Sequence, residues 1–277
     1  MNEEAASKSR SELGKRVASG VVMAALAIGA VVAGGWPFVV FWAAAALVVL
    51  WEWSAIVGDN AAAVRLAGGA ALVTAALAVG GGALLIGFAI LAAGACVVAA
   101  LGAPQRRAWA AAGVAYAGTV LLAPIVLRRD RELGLLAILF LFAVVWATDI
   151  LGYFIGRAIG GPKLAPRISP KKTWAGAGGG ALGALAAGLA VLHVDGGVAS
   201  IPAACVALLL SVVSQAGDLF ESAVKRHFGV KDASHVIPGH GGLMDRLDGF
   251  LVAAGVAALV GLVRGGPDAS ARGLLLW

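Results

Sequence analysis

A chain of 277 residues in which 61% are apolar and only 13% charged, with a mean hydropathy of +0.93, lies far outside the range of soluble globular domains. That composition excludes a soluble enzyme or binding module and makes the chain a polytopic membrane protein. The net charge of +6 does not point to nucleic acid, because the cations fall mostly in short links between apolar runs, as the positive-inside rule demands.

Residues 1–16 form a polar tail carrying Lys8, Arg10, Lys15 and Arg16, which reads as cytoplasmic. The first apolar run, Val17–Gly34, reaches the roughly 18 residues a span needs, and further spans follow at once, so it reads as a retained helix rather than a signal peptide. Further runs are Trp36–Val57, Val64–Gly80, Ala83–Leu101, Trp109–Leu127 and Leu133–Ile155. After a basic loop come Trp174–Val194, a run from Val198 to about Val224, and Leu247–Val263. The expected fold is therefore an all-α membrane bundle of about nine transmembrane helices with a cytoplasmic N-terminus. It divides into N-terminal helices over 17–132 and a catalytic region with cytoplasmic loops over 133–277.

With nine alternating helices, the tail, the Arg65 link, the Arg106-Arg107 link and the loops 157–172 and 225–246 share one side, which the Lys/Arg excess assigns to the cytoplasm. The link Arg128-Arg129-Asp130-Arg131-Glu132 disagrees, with three cations on the opposite side. Cys96 and Cys205 sit singly in apolar runs and read as packing residues rather than a disulfide or metal pair. Gly152-xxx-Gly156-xxx-Gly160 and Gly176-xxx-Gly180 line up small residues that let helices approach closely. Within the first five helices Glu52 is the main charged exception, so the chemistry concentrates after Thr148.

In the eighth helix, Gln215, Asp218, Glu221, Ser222 and Lys225 recur at helical spacing and form one polar stripe. Such a stripe is either a buried ion-pair network, with Asp218 and Glu221 answered by Lys225 or Arg226, or a hard-cation site. Downstream, Pro238-Gly239-His240-Gly241-Gly242 is a turn whose backbone can approach a ligand, followed by Asp245-Arg246-Leu247-Asp248 with both acids on one helical face. A purely structural network has no need of those glycines. Asp218 and Asp245 can converge on a metal while Lys225, Arg226, Lys231 and Arg246 offer phosphate contacts. His240 is either a loop hydrogen-bonder or a substrate contact, and His193, His227 and His235 lack zinc spacing.

Upstream, Asp149 lies in the sixth helix with Tyr153, Gly156 and Arg157 on one face, and an intramembrane aspartate is a functional candidate or a helix-to-helix hydrogen bond. Ser169-Pro170-Lys171-Lys172-Thr173 directly precedes the seventh helix. Ser169 and Thr173 suit caps, and the two lysines beside a helix N-terminus suit an anion or, more simply, lipid headgroups.

These residues resemble the phosphatidate cytidylyltransferases, or CDP-diacylglycerol synthases. The family signature stands here as Ser222-x-Val224-Lys225-Arg226-x4-Lys231-Asp232, then Pro238-Gly239-His240-Gly241-Gly242-x-x-Asp245-Arg246-x-Asp248, without a mismatch. Gly217-Asp218 with Glu221-Ser222 and the loop ending in Trp174 are also similar, and the likeness covers about the last 130 residues. One departure is Ala175, where many members carry Glu. The resemblance implies transfer of CMP from CTP to phosphatidic acid, giving CDP-diacylglycerol and pyrophosphate. It implies Mg²⁺ as cofactor, with K⁺ as an example of a second cation, and a homodimer in the bacterial inner (plasma) membrane with its site facing the cytoplasm. By resemblance Asp218 and Asp245 ligate the metal, Glu221 and Asp248 join them, and Lys225, Arg226 and Arg246 serve catalysis. Asp149, Ser169, Lys171, Lys172, Thr173, Ser222, Lys231, His240, Gly241 and Gly242 are then the substrate-binding set. The alternative class is a cation- or proton-coupled transporter, prompted by Asp149, Asp218 and Glu221 in helices, against which stands the lack of inverted halves.

Overall fold

The computed structural model describes residues 3–58, 62–195, 200–237 and 241–277, with side chains described from Ala18 onward. Among the described residues nine long helices follow one another: α1 Glu3–Ala33, α2 Gly35–Val57, α3 Ala62–Gly80, α4 Leu84–Leu101, α5 Arg107–Arg128, α6 Gly134–Ile159, α7 Trp174–Val194, α8 Ile201–His227 and α9 Met244–Gly265. Eight of them, α2 to α9, are long and apolar enough to cross a bilayer. The described apolar part of α1, Ala18–Ala33, is shorter. Each apolar run expected from sequence thus lies on a helix, with most ends displaced by a few residues; α1 is the exception, beginning at Glu3 inside the segment expected as a polar tail.

Two elements were not expected. The 157–172 loop folds into an antiparallel hairpin of β1 Lys163–Ala165 and β2 Ser169–Thr173, and a short α10, Ser270–Leu275, follows α9. Thr173 ends the hairpin and caps α7 by accepting from the Gly176 amide at 3.1 Å, as its sequence position suggested. Ser169 starts β2 and is not that cap.

Hydrophobic contrast drives each helix into the bilayer but supplies little force between helices there, so close packing and specific polar contacts set the arrangement. Along the α6–α7 seam a Cβ placed on Gly176 would lie 2.7 Å from the Gly152 carbonyl oxygen, and one on Gly180 would lie 2.7 Å from that of Thr148. The glycine stripes are therefore spent inside the chain, and neither is left as a self-association face. Cys96 and Cys205 are exposed on the chain rather than packed within it, a correction to their expected role.

Alternating threading gathers the ends of α2, α6 and α8 with the starts of α5, α7 and α9. Arg106 at the head of α5 donates to the Val57 carbonyl at the end of α2, and its guanidinium lies 5.1 Å from the centroid of Phe228, just past α8. The opposite end explains the discordant Arg128–Glu132 link. Arg128 Nε donates to the Val31 carbonyl near the end of α1 at 2.9 Å, and Arg129 donates to the Gly82 carbonyl at 3.2 Å. These arginines satisfy carbonyls at helix ends and turns, where cations are favoured. Asp130, fully buried, accepts from the Glu132 and Leu133 amides on one oxygen and from the Arg272 amide and guanidinium on the other, tying α10 to the α5–α6 turn.

Burial pushes the Asp130 carboxyl up, but the Arg272, Leu133 and Glu132 hydrogen bonds outweigh it and hold the group below its ordinary value of 3.8. A lowered folded value means the charged form stabilises the fold above pH 3.8, and that contribution fades as pH falls through the folded value. Asp130→Asn is accordingly expected to lower the unfolding temperature of detergent-solubilised protein at pH 7, and the gap from wild type should close on acidification below 3.8. A gap unchanged across that range would contradict this.

Candidate active site

Three close approaches assemble the polar end of the bundle. A Cβ on Gly217 would lie 2.6 Å from the Asp248 carbonyl oxygen, and one on Gly249 would lie 2.6 Å from Ser214 Oγ, so α8 and α9 run nearly backbone to backbone. The third is α7 against α8, where Gln215 Nε2 donates to the Ala177 carbonyl at 3.4 Å. At about 1.5 Å per residue, the 27 residues of α8 reach beyond the roughly 30 Å apolar core. The polar last turns of α8 can therefore lie at the membrane boundary.

On α8 the predicted stripe faces α9 and the hairpin as one surface. Ser222 Oγ donates to Asp218 at 3.3 Å, and the other Asp218 oxygen pairs with Lys172 of β2. Lys225 Nζ lies 2.5 Å from Asp245 Oδ1 and 3.2 Å from Glu221 Oε1. The second contact is an ion pair whose angle misses hydrogen-bond geometry, so both fully buried Glu221 oxygens lack a hydrogen-bond donor among the described residues. Asp248 lies within electrostatic range of Glu221, and its own Oδ1 accepts from the Gly249 amide at 2.7 Å. Asp149, exposed on α6, lies within electrostatic range of Asp248, Asp218, Lys172 and Arg246. Asp149, Lys172, Asp218, Glu221, Lys225, Asp245 and Asp248, drawn from α6, β2, α8 and α9, are thus linked by ion pairs or lie within electrostatic range of one another at one end of the bundle.

Other expectations are met differently. The ion-pair reading of the stripe is realised in part, through Lys225 with Glu221. Arg226 is exposed and donates to the Val230 carbonyl at 3.5 Å, closing the end of α8 rather than pointing at the acids. Lys171 and Lys231 are exposed, and Ser169 is half-buried in the hairpin. His240 lies outside the described residues. The two described amides of the glycine turn are engaged within the chain: Gly241 donates to Ile237, and Gly242 to Asp245 Oδ2 at 2.9 Å, alongside Ala233 at 3.0 Å. In this arrangement the Gly241 and Gly242 backbone N–H groups already have acceptors within the chain.

Two site residues escaped the sequence reading. Glu52 on α2 reaches the head of α9, and its only advance signal was being an acid in an apolar run. Tyr116 on α5, 8% exposed, holds a hydroxyl with no partner among the described residues and lies within electrostatic range of Glu221, Asp248, Asp245 and Asp218. Nothing in the spacing around Tyr116 announced it.

Among the described residues no three His, Cys, Asp or Glu side chains are gathered tightly enough to hold a metal by themselves. Lysines occupy Asp218 and Asp245. The donors are nevertheless all hard oxygens, and Glu221 offers two without hydrogen bonds. Such a set suits Mg²⁺ bound jointly by one or two carboxylates and substrate phosphate.

The electrostatics give a graded expectation. Lys225→Met strands two nearly inaccessible carboxylates and should cost about 3–5 kcal/mol of stability. Lys172→Met breaks a half-exposed pair and should cost about 1 kcal/mol or less. Unfolding in mixed micelles measures both, and equal costs would contradict the assignment of Lys225 as the central cation.

A model of the cytidylyltransferase family matches residues 14–263. The phosphatidate cytidylyltransferase of Brucella abortus biovar 1 (strain 9-941) is 44% identical over 260 residues, covering 93% of this chain and 96% of the relative. Those of Staphylococcus saprophyticus and Bacillus subtilis are 46% and 44% identical over 126 residues, 45% of this chain and 48% and 47% of the relatives.

Proposed function

The chain belongs to the cytidylyltransferase family, and we propose on that premise that the pocket of Asp149, Lys172, Asp218, Glu221, Lys225, Asp245 and Asp248 transfers CMP from CTP to phosphatidic acid. The observation that carries this reading is the convergence of carboxylates and lysines from α8, α9 and the hairpin at one end of a membrane bundle. The family assignment leaves the transporter alternative without support.

In the reaction, a phosphate oxygen of phosphatidic acid attacks the α-phosphorus of CTP. A new phosphoanhydride bond forms as the bond to the β-phosphate breaks, and pyrophosphate leaves. The nucleophile is already anionic, so no strong general base is required. Positioning and charge neutralisation are what the protein must supply. Lys172 and Lys225, now held by Asp218 and Asp245, are placed to exchange carboxylate for phosphate. Arg226, Lys231 and Arg246 extend the cationic rim, and the buried Glu221–Asp248 region limits water on the inner side.

We assign Mg²⁺ to Asp218, Asp245, Glu221 and Asp248, and propose K⁺ as an example of a second cation there. When bound, it would neutralise phosphate charge and orient the leaving group. The site end is assigned to the cytoplasmic face, on the Lys/Arg excess of the links that meet there and on the need for CTP. The bacterial inner membrane is the setting that these assignments imply. A homodimer would have to use a face other than the α6 and α7 glycine stripes.

Purified protein with labelled CTP, phosphatidic acid and Mg²⁺ is expected to form labelled CDP-diacylglycerol, and Asp218→Asn should lower kcat by roughly 100-fold or more. Absence of product from wild type, or full activity in the variant, overturns the reading.

A further inference from the structure

Glu52 sits on α2, far in sequence from the signature, with 0% exposure. Its Oε2 accepts from the Met244 amide at 2.6 Å, and its Oε1 accepts from the Leu243 amide at 2.9 Å and from Ser234 Oγ at 2.5 Å. Leu243 and Met244 form the first turn of α9, whose unpaired amides carry the positive end of the helix dipole. A second carboxylate shares the same segment, for Asp245 takes the Ala233 and Gly242 amides. The loop is therefore clamped between two acids, with residues 234, 243 and 244 turned to Glu52 and residues 233 and 242 turned to Asp245.

Steric detail agrees. A Cβ on Gly242 would lie 2.6 Å from Glu52 Oε1 and 2.9 Å from the Ala233 side chain, so the last glycine of the signature turn is required by an acid 190 positions upstream. We propose that Glu52 is a positioning residue of the active site, holding Ser234, Leu243 and the head of α9 so that Asp245 faces Lys225 and the substrate phosphates. It touches no substrate and acts through Asp245. The proposal rests on the cytidylyltransferase reading for its activity readout, but not for its structural one.

The test uses the full chain in detergent with Glu52→Gln, Ser234→Ala, Glu52→Ala, Gly242→Ala and the Glu52→Ala/Gly242→Ala double variant. Glu52→Gln places an amide NH₂ against backbone donors and is expected to lower kcat about tenfold or more, with KM for CTP within about threefold. The unfolding temperature should stay near wild type, and hydrogen exchange should quicken over 233–247 but not in α7. Ser234→Ala removes one bond and should give the same pattern more weakly. Gly242→Ala should damage wild type and cost clearly less when added to Glu52→Ala, because the nearer of its two clash partners, Glu52 Oε1, is gone while the Ala233 side chain remains. Wild-type kcat in both Glu52→Gln and Ser234→Ala overturns the inference, as do additive losses in the double variant. A general fall in stability with uniform faster exchange overturns it too, by making Glu52 a merely structural residue. If wild type makes no CDP-diacylglycerol, the cytidylyltransferase reading fails. The exchange comparison then still decides: faster loop exchange in Glu52→Gln supports the clamp, and unchanged exchange overturns it.

Discussion

An ammonium group shared by two buried carboxylates is the interaction on which the rest depends. Lys225 rises from α8 between Glu221 of its own helix and Asp245 of α9. In so apolar a chain an unanswered charge costs several kcal/mol, which forces the two helices together wherever those groups are to be kept. The approach is possible because Gly217 and Gly249 remove the side chains that would separate the backbones. Charge and packing here state one requirement twice, and each is unfavourable without the other.

The N-terminal half, which looks like featureless apolar helix, supplies the walls and anchors of that pocket. Trp53 of α2 packs against Tyr116 of α5 with ring centroids 5.0 Å apart, and Trp109 stacks on His227 at 5.4 Å, so the end of α8 rests on aromatic side chains from α5. Trp42 stacks on Phe250 of α9 at 5.1 Å. These contacts bury large apolar surfaces beside the polar groups and leave the acids little freedom to move apart.

Spans and chemistry were legible in the sequence for different reasons. Apolar runs of spanning length declare themselves one by one, because each helix satisfies its backbone alone. The α8 stripe declares itself through helical spacing. What was hidden depends on partners distant in sequence: Glu52 capping a helix 192 positions later, Tyr116 within electrostatic range of acids on two other helices, and Asp130 bonded to Arg272. The hairpin was hidden because Ser169–Thr173 has neither apolar alternation nor a recognisable turn and gains its pairing from being pinned between α6 and α7. Arg128 and Arg129 misled the side-by-side charge count because that count treats every cation as solvated, whereas both bond to carbonyls at the ends of other segments.

The flush glycine seam between α6 and α7 bears on traffic as well as packing. At Gly152 against Gly176, Thr148 against Gly180, Leu151 against Gly183 and Phe140 against Gly188, the two helices meet without a gap that a methyl group could enter. A lipid with two acyl chains cannot thread between them. Any lateral doorway by which a lipid reaches the polar end of the bundle must open along the other flanks of this pair, with the α6–α7 slab serving as a closed door-post.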